Sequence, residues 1–276
     1  MTARGTSPAP EIVLEQVSHV YAEGGVRALD AVSLQVGGGE RMALIGQNGS
    51  GKTTLVKHLN GLLRPTSGRL LVGGTDAAGR TVAQLARTVG LVFQDPDRQI
   101  FSGTVRGEVE FGPRNLGRRG DELRAAVDDG LDAVGLSAEA RTNPYDLGAS
   151  RRKLLALASV LAMRTPILVL DEPTTGQDPA GVEIVRAIID RTQVDGRTVV
   201  AISHDMEIVA SAFDRVVVMR AGRVIADGTP SSVFAQPSWQ LLESTYLEPP
   251  LAARVGARLG LSDTPTPEAL LAALAQ

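Results

Sequence analysis

Residues 46–53 read Gly46-Gln47-Asn48-Gly49-Ser50-Gly51-Lys52-Thr53 and fit the pattern G-x-x-x-x-G-K-[ST]. A short apolar run at 42–46 precedes the glycines, and a helical pattern from Lys52 to about Leu62 follows, with Gly61 and Pro65 as its stop. Strand, Gly-rich turn and helix in that order make an anion cradle. The glycines let successive backbone N–H groups point inward at phosphate oxygens, and the helix N-terminus adds its positive end. Lys52 is placed to bridge β- and γ-phosphates, Thr53 to hold Mg²⁺, and Thr54 continues the first turn. Lysine is scarce in this chain. The other two, Lys57 and Lys153, lie outside the loop.

Working outward, residues 12–17, 32–36 and 42–46, Gly68–Val72 and Thr88–Phe93 read as strands. From Asp95 to about Thr165 the texture changes. Turn signals at Asp95-Pro96, Gly112-Pro113 and Asn143-Pro144 alternate with helical patterns at Asp121–Val134 and Arg151–Met163, which predicts a helical insertion. β-type runs return at Ile167–Leu170, Thr198–Ile202 and Arg215–Met219, with a helix near Ala180–Thr192. Buried strands alternating with helices indicate an α/β core with a largely parallel sheet. The tail from about Val233 carries short helical patterns at Trp239–Leu242, Leu251–Leu259 and Ala269–Ala275. The expected organisation is a disordered segment 1–10, a nucleotide-binding domain over 11–232 with its helical part at about 95–165, and a helical tail over 233–276.

Composition narrows the function. The 276 residues include no cysteine and three histidines, which excludes disulfide frameworks and thiol catalysis and leaves few ways to build a His-based metal site. A net charge of −3 argues against broad electrostatic binding of nucleic acid. Residues 1–10 lack an apolar segment of the secretory kind, and no run approaches the ~20 apolar residues of a membrane span. The expectation is a protein that is soluble or peripheral to a membrane.

A second element is Ile167-Leu168-Val169-Leu170-Asp171-Glu172, an apolar strand ending in paired acids. After a phosphate loop, Asp171 is placed to accept from Mg²⁺-bound water and Glu172, one residue further, to polarise the attacking water. The long gap between Lys52 and Asp171 is accounted for by the helical insertion.

The ordered set of phosphate loop, Gln94, helical insertion, Asp171-Glu172-Pro173, Gly176-Gln177-Asp178 and Ser203-His204-Asp205 resembles an ABC-type ATPase over roughly residues 11–230. That resemblance implies a P-loop NTPase, RecA-like core with an antiparallel β subdomain, acting on ATP with Mg²⁺. It implies that Gln94 contacts Mg²⁺ and senses a transmembrane partner, that His204 contacts the γ-phosphate, that Asp178 communicates across a dimer, and that Tyr21 stacks on adenine. The stretches Val92-Phe93-Gln94-Asp95-Pro96-Asp97-Arg98-Gln99-Ile100-Phe101, Glu110-Phe111-Gly112-Pro113-Arg114-Asn115-Leu116-Gly117 and Leu247-Glu248-Pro249-Pro250-Leu251 are similar to the ATPases of energy-coupling-factor and cobalt-type importers. The implied partners are a second ABC ATPase subunit, a transmembrane coupling protein and a substrate-binding membrane protein, with the chain at the cytoplasmic face of the membrane and no nucleic acid. The competing expectation, a soluble ABC ATPase acting on ribosomes or DNA, calls for two fused cassettes or a long coiled coil, and the chain carries one phosphate loop and no sustained heptads.

One element departs from the family pattern. Where Leu-Ser-Gly-Gly-Gln should precede the helix at Arg151–Met163, the chain has Leu147-Gly148-Ala149-Ser150-Arg151. Gly148 lacks the hydroxyl that would meet a partner's γ-phosphate, and Ala149 adds a Cβ where close approach is wanted. A helix N-terminus and the hydroxyl of Ser150 remain. In this family each ATP lies between one chain's phosphate loop and the other's signature, so the change weakens the partner's site and favours a heterodimer over a homodimer.

Overall fold

The computed structural model describes residues 11–275, so the expected disordered segment 1–10 lies outside the described residues. In chain order the elements are β1 (Ile12–Val20), β2 (Arg27–Val36), β3 (Arg41–Ile45), α1 (Lys52–Leu59), β4 (Ser67–Val72), β5 (Thr75–Asp76), α2 (Val82–Leu85) and β6 (Val89–Val92). Three helices follow, α3 (Val105–Asn115), α4 (Gly120–Ala133) and α5 (Ala149–Leu161). Then come β7 (Ile167–Asp171), α6 (Pro179–Val194), β8 (Thr198–Ile202), α7 (Met206–Ala212), β9 (Arg215–Arg220) and β10 (Arg223–Gly228). The tail adds α8 (Pro230–Val233), α9 (Trp239–Glu243), α10 (Leu251–Arg258) and α11 (Pro267–Leu274). No helix among the described residues is long and apolar enough to cross a membrane.

Six strands form one sheet in the order β10-β9-β3-β8-β7-β6, parallel except for β10. Its inner strands are apolar on both faces because both are covered. Met42, Leu44, Val169, Ile202 and Val217 face one core with α1, β1, β2 and β4. Ala43, Ile45, Leu170, Ala201 and Val218, their neighbours in sequence, face a second core under α3–α7. The period of two thus splits each central strand between two cores. The first is closed by an antiparallel sheet, β2-β1-β4-β5, which matches the expected β subdomain.

Two expectations need correction. α1 stops at Leu59, with Asn60 as its cap, rather than at Leu62. Gly112-Pro113 lies inside α3, not in a turn. A Cβ at Gly112 would lie 2.6 Å from Met163 Cγ, so the glycine marks a close approach of α3 to the segment after α5. Pro113 falls in the last turn of α3, and the chain closes past it with Arg118 N–H donating to Pro113 O at 3.1 Å. α2, α3, β5, α7, α8 and β10 had no expectation of their own, although α3 falls within the expected helical insertion.

The edge strand β6 packs through a glycine. A Cβ at Gly90 would lie 2.6 Å from Val160 Cγ1 of α5 and 2.8 Å from Thr165 Oγ1. Both neighbours are in the core, so an added methyl overpacks it. Gly90→Ala is expected to destabilise the chain by about 1–3 kcal/mol, and Val160→Ala in the same chain to return part of that loss. Urea unfolding of the two single variants and the double variant measures the coupling.

Candidate functional site

The phosphate loop leaves the end of β3 and enters α1. Two of its glycines are required by the backbone beside them. Gly46 has φ +147° and an added Cβ would meet Met219 O of β9 at 2.2 Å. Gly51 has φ +103° and an added Cβ would meet Ala28 O of β2 at 2.4 Å. The loop is therefore wedged between the two sheets. Gly222 N–H donates to Ser50 O at 2.9 Å and Asp30 N–H to Gly222 O at 2.9 Å, tying it to the β9–β10 turn and to β2.

Above the loop lies a cleft of about 420 Å³. Asn48, Gly49, Ser50, Gly51, Lys52, Thr53 and Thr54 line one wall, Gln94 and Glu172 a second, and Tyr21 a third. Lys52 is buried, with Nζ donating to Gly46 O at 2.5 Å and Gln47 O at 3.0 Å. Burial holds its pKa below the ordinary lysine value, against the opposing pull of Glu172 and Asp171. Tyr21 meets Thr54, hydroxyl to hydroxyl, at 3.1 Å, and its ring is held edge-on by His19 with centroids 4.7 Å apart.

The acidic end of β7 supplies the rest. Asp171 is buried beside Thr53, whose hydroxyl donates to Asp171 Oδ1 at 3.5 Å. Burial pushes the carboxyl of Asp171 up from its ordinary value, and Glu172 adds to this, while Thr53, Lys57 and Lys52 oppose it. A buried carboxylate next to a hydroxyl, with Lys52 and Lys57 of α1 nearby, fits an oxygen-ligated divalent cation such as Mg²⁺. Glu172 has φ +51°, a left-handed conformation that costs a non-glycine residue roughly 1–2 kcal/mol. Its N–H donates to Ile202 O at 3.0 Å, so β8 holds the turn.

Three side chains, two of them from distant segments, meet on the Glu172 carboxylate. Gln94 Nε2 donates to Oε2 at 2.8 Å, Thr175 Oγ1 donates to the same oxygen at 3.1 Å, and His204 Nε2 lies 3.1 Å from Oε1. The side chain is only 12% exposed. Gln94 and His204, expected with Glu172 as catalytic candidates, are thus each in direct contact with it. Thr175 was not singled out from the sequence, although it sits three residues after Glu172. Val26, Arg27 and Ala28, also in the cleft wall, carry no motif that would reveal them.

Gly148, Ala149, Ser150 and Asp178 stand apart from this cleft. Gly148 is the exposed N-cap of α5 and offers no side-chain cap. The Ser150 hydroxyl donates to Gln177 Oε1 at 2.6 Å, within the same chain. Asp178 caps α6 by accepting from Gly181 N–H at 2.7 Å.

The family described as ABC transporter matches residues 29–175. An energy-coupling factor transporter ATP-binding protein, EcfA1, of Symbiobacterium thermophilum is 44% identical over 95% of this chain and 93% of its own length. A putative ABC transporter ATP-binding protein of Methanosarcina acetivorans is 41% identical over 91% of this chain, which spans only 40% of that relative's length. Among solved structures, CbiO1 of Clostridium perfringens, part of the ABC transporter complex cbiONQ, superposes with a TM-score of 0.74 at 34% identity, covering 91% of this chain and 98% of its own. None of these similarities supports a role on ribosomes or DNA.

The buried carboxyl of Asp171 gives a pH-dependent expectation. A folded-state pKa above the unfolded one means that the protonated form is favoured in the fold. The group's contribution is fully present below the unfolded carboxylate pKa and is lost as pH rises through the folded value. Asp171→Asn should therefore melt a few degrees above the parent chain at pH 7, with the difference closing as pH falls into the ordinary carboxylate range. Thermal melts of both chains from pH 4 to pH 8, without nucleotide or divalent cation, measure it. A constant offset at all pH values would remove the carboxyl as its source.

Proposed function

The chain belongs to the ABC transporter family and is an ATPase, and from that premise we propose that it powers substrate uptake as the peripheral ATPase of an energy-coupling-factor or cobalt-type importer. The observation that carries the reading is the meeting of Gln94, Thr175 and His204 on the carboxylate of Glu172, at the open side of the phosphate cradle. Similarity to EcfA1 across 95% of the chain points to this importer class. The chain would sit on the cytoplasmic face of the membrane beside a transmembrane coupling protein and a substrate-binding membrane protein.

In this reading Gly46, Gln47, Asn48, Gly49, Ser50, Gly51 and Lys52 hold the ATP phosphates, Thr54 extends the cradle, and Tyr21 stacks on the base. Thr53, Asp171 and Gln94 would hold Mg²⁺, which when bound neutralises phosphate charge. Glu172 accepts a hydrogen bond from the attacking water and aligns it on the γ-phosphate. Gln94 and His204 fix the carboxylate from two sides, so that its lone pairs point at the water. His204 would also contact the γ-phosphate. Asp178 and the α5 N-terminus face a second ATPase subunit.

The proposed partner is a different ATPase chain with an intact signature. One site then combines this chain's Lys52, Asp171, Glu172 and His204 with that signature. The other combines the partner's loop with Gly148, Ala149 and Ser150. The single hydroxyl proton of Ser150 is already given to Gln177. A missing hydrogen bond to a charged phosphate costs about 1.5–3 kcal/mol, so the second site is the weaker or slower one.

Lys52→Ala is expected to abolish turnover and weaken ATP binding strongly; normal ATPase activity in that variant would sink the assignment. Glu172→Gln keeps the size of the side chain and should retain ATP binding while slowing hydrolysis by about 100- to 10,000-fold, with an ATP-dependent dimer on gel filtration. In the reconstituted membrane complex, Glu172→Gln in this chain should remove most of the hydrolysis and the equivalent change in the partner should remove less. Equal losses would refute unequal sites and favour either a homodimer or a competent altered signature.

A further inference from the structure

We propose that a recess at the opposite end of the parallel strands from the phosphate cradle is a binding site for a small organic anion with a short apolar part. The recess holds about 420 Å³ and lies between the inserted helices α4 and α5 on one side and α6 with the start of β8 on the other. Arg164 precedes β7 and Arg197 precedes β8, whereas Glu172 and His204 follow the same two strands. Five residues of strand, roughly 16 Å, separate the two ends. None of the cleft's residues reaches the recess.

The lining has two kinds of surface. Ala133, Leu161 and Ile188 make an apolar wall. Arg164, Arg191 and Arg197 bring three guanidinium groups to the same space, against the carboxylates of Asp129 and Asp195. Asp129 is already engaged by Arg164. Arg191 is in no ion pair among the described residues and stands exposed at the rim.

Arg197 is the anomaly. Its Nε donates to Thr165 O at 2.7 Å, which fixes the side chain, but its Nη2 is enclosed and has no hydrogen-bond partner among the described residues. Burial pulls its pKa below the ordinary arginine value, and Arg164 adds to this while only Asp195 opposes it. Enclosed polar groups in native folds are nearly always paired, and an enclosed guanidinium N–H without an acceptor is costly. An anion between Arg191 and Arg197 supplies that acceptor with a small movement of the Arg197 head group. Guanidinium groups favour the paired oxygens of a phosphate or carboxylate. The apolar wall accounts for the carbon part, since free phosphate would leave Ala133, Leu161 and Ile188 facing water.

The probe is phenyl phosphate, with phenol as its neutral counterpart, titrated calorimetrically into the full chain in the presence of saturating ADP and Mg²⁺ to block the nucleotide cleft. One equivalent should bind with a dissociation constant of about 1 mM or tighter, and phenol at least about tenfold more weakly. Arg191→Glu reverses a charge at an exposed position and should weaken phenyl phosphate by at least about tenfold. Ala133→Phe fills the recess and should abolish binding. Both variants should keep the parent rate of ATP turnover, which separates loss of this site from loss of fold. The proposal is overturned if no heat is seen at millimolar probe, if phenol binds as well as phenyl phosphate, or if both variants bind like the parent.

Discussion

The site depends on the register in which β3, β8 and β7 pair. Ile202 stands opposite Leu44 on one side and opposite Asp171 on the other. Within one or two residues of that level, the Glu172 turn, the Ser203-His204 turn and the phosphate loop leave the sheet. Hydrophobicity alone cannot set that register, because these strands are apolar on both faces and a one-residue slip would still bury apolar side chains. The polar ends set it. Val199 N–H donates to Glu40 O, Ile167 N–H to Thr88 O and Glu172 N–H to Ile202 O, each at 2.9–3.0 Å. A slip would leave those groups unpaired in a dry interior, and would part Asp171 from Thr53.

Much of this was legible in the sequence because the chemistry is local. The loop is eight consecutive residues, and the apolar run ending in Asp171-Glu172 is six. Both are readable without knowing the fold. What was not legible is what lies across the chain. Nothing in residues 46–51 says that Met219 O and Ala28 O are the atoms that forbid a side chain at Gly46 and Gly51. Thr175 became visible only once its hydroxyl was found on Glu172. Gly112-Pro113 misled because the same dipeptide serves a turn or a close helix contact, and only the position of Met163 decides between them. β10 was missed because Arg, Asp and Gly flank its three apolar residues, Val224–Ala226; it is an antiparallel edge strand, half-buried over most of its length.

The cleft is maintained against local preference at several points. Asp171 and Lys52 are buried against the pull of desolvation, and Glu172 occupies a left-handed backbone position. Such costs are sustained only where surrounding structure over-determines the conformation. Here two packed cores do so, one on each face of the sheet, with the loop wedged between β2 and β9. Two of the three, the buried Asp171 and Lys52, carry charges that a divalent cation and a triphosphate would offset. This arrangement is the usual relation between stability and activity at a working site.

The same segment links the acid to the start of α5. After Glu172, the chain runs through Thr175 and Gln177 before Asp178 caps α6. Thr175 donates its hydroxyl to Glu172, and its carbonyl accepts from Lys153 Nζ. Gln177 takes the hydroxyl of Ser150. Two bonds therefore attach the first turn of α5 to a loop whose other end fixes the Glu172 carboxylate. A displacement of the α5 N-terminus cannot occur without either breaking these bonds or moving the loop. Because Gly148 contributes no capping side chain, Ser150 and Lys153 carry that attachment, and the start of α5 is coupled to Glu172 of the same chain. The departure at Gly148-Ala149-Ser150 thus has a consequence within the subunit: the hydroxyl that remains is already part of the support for Glu172.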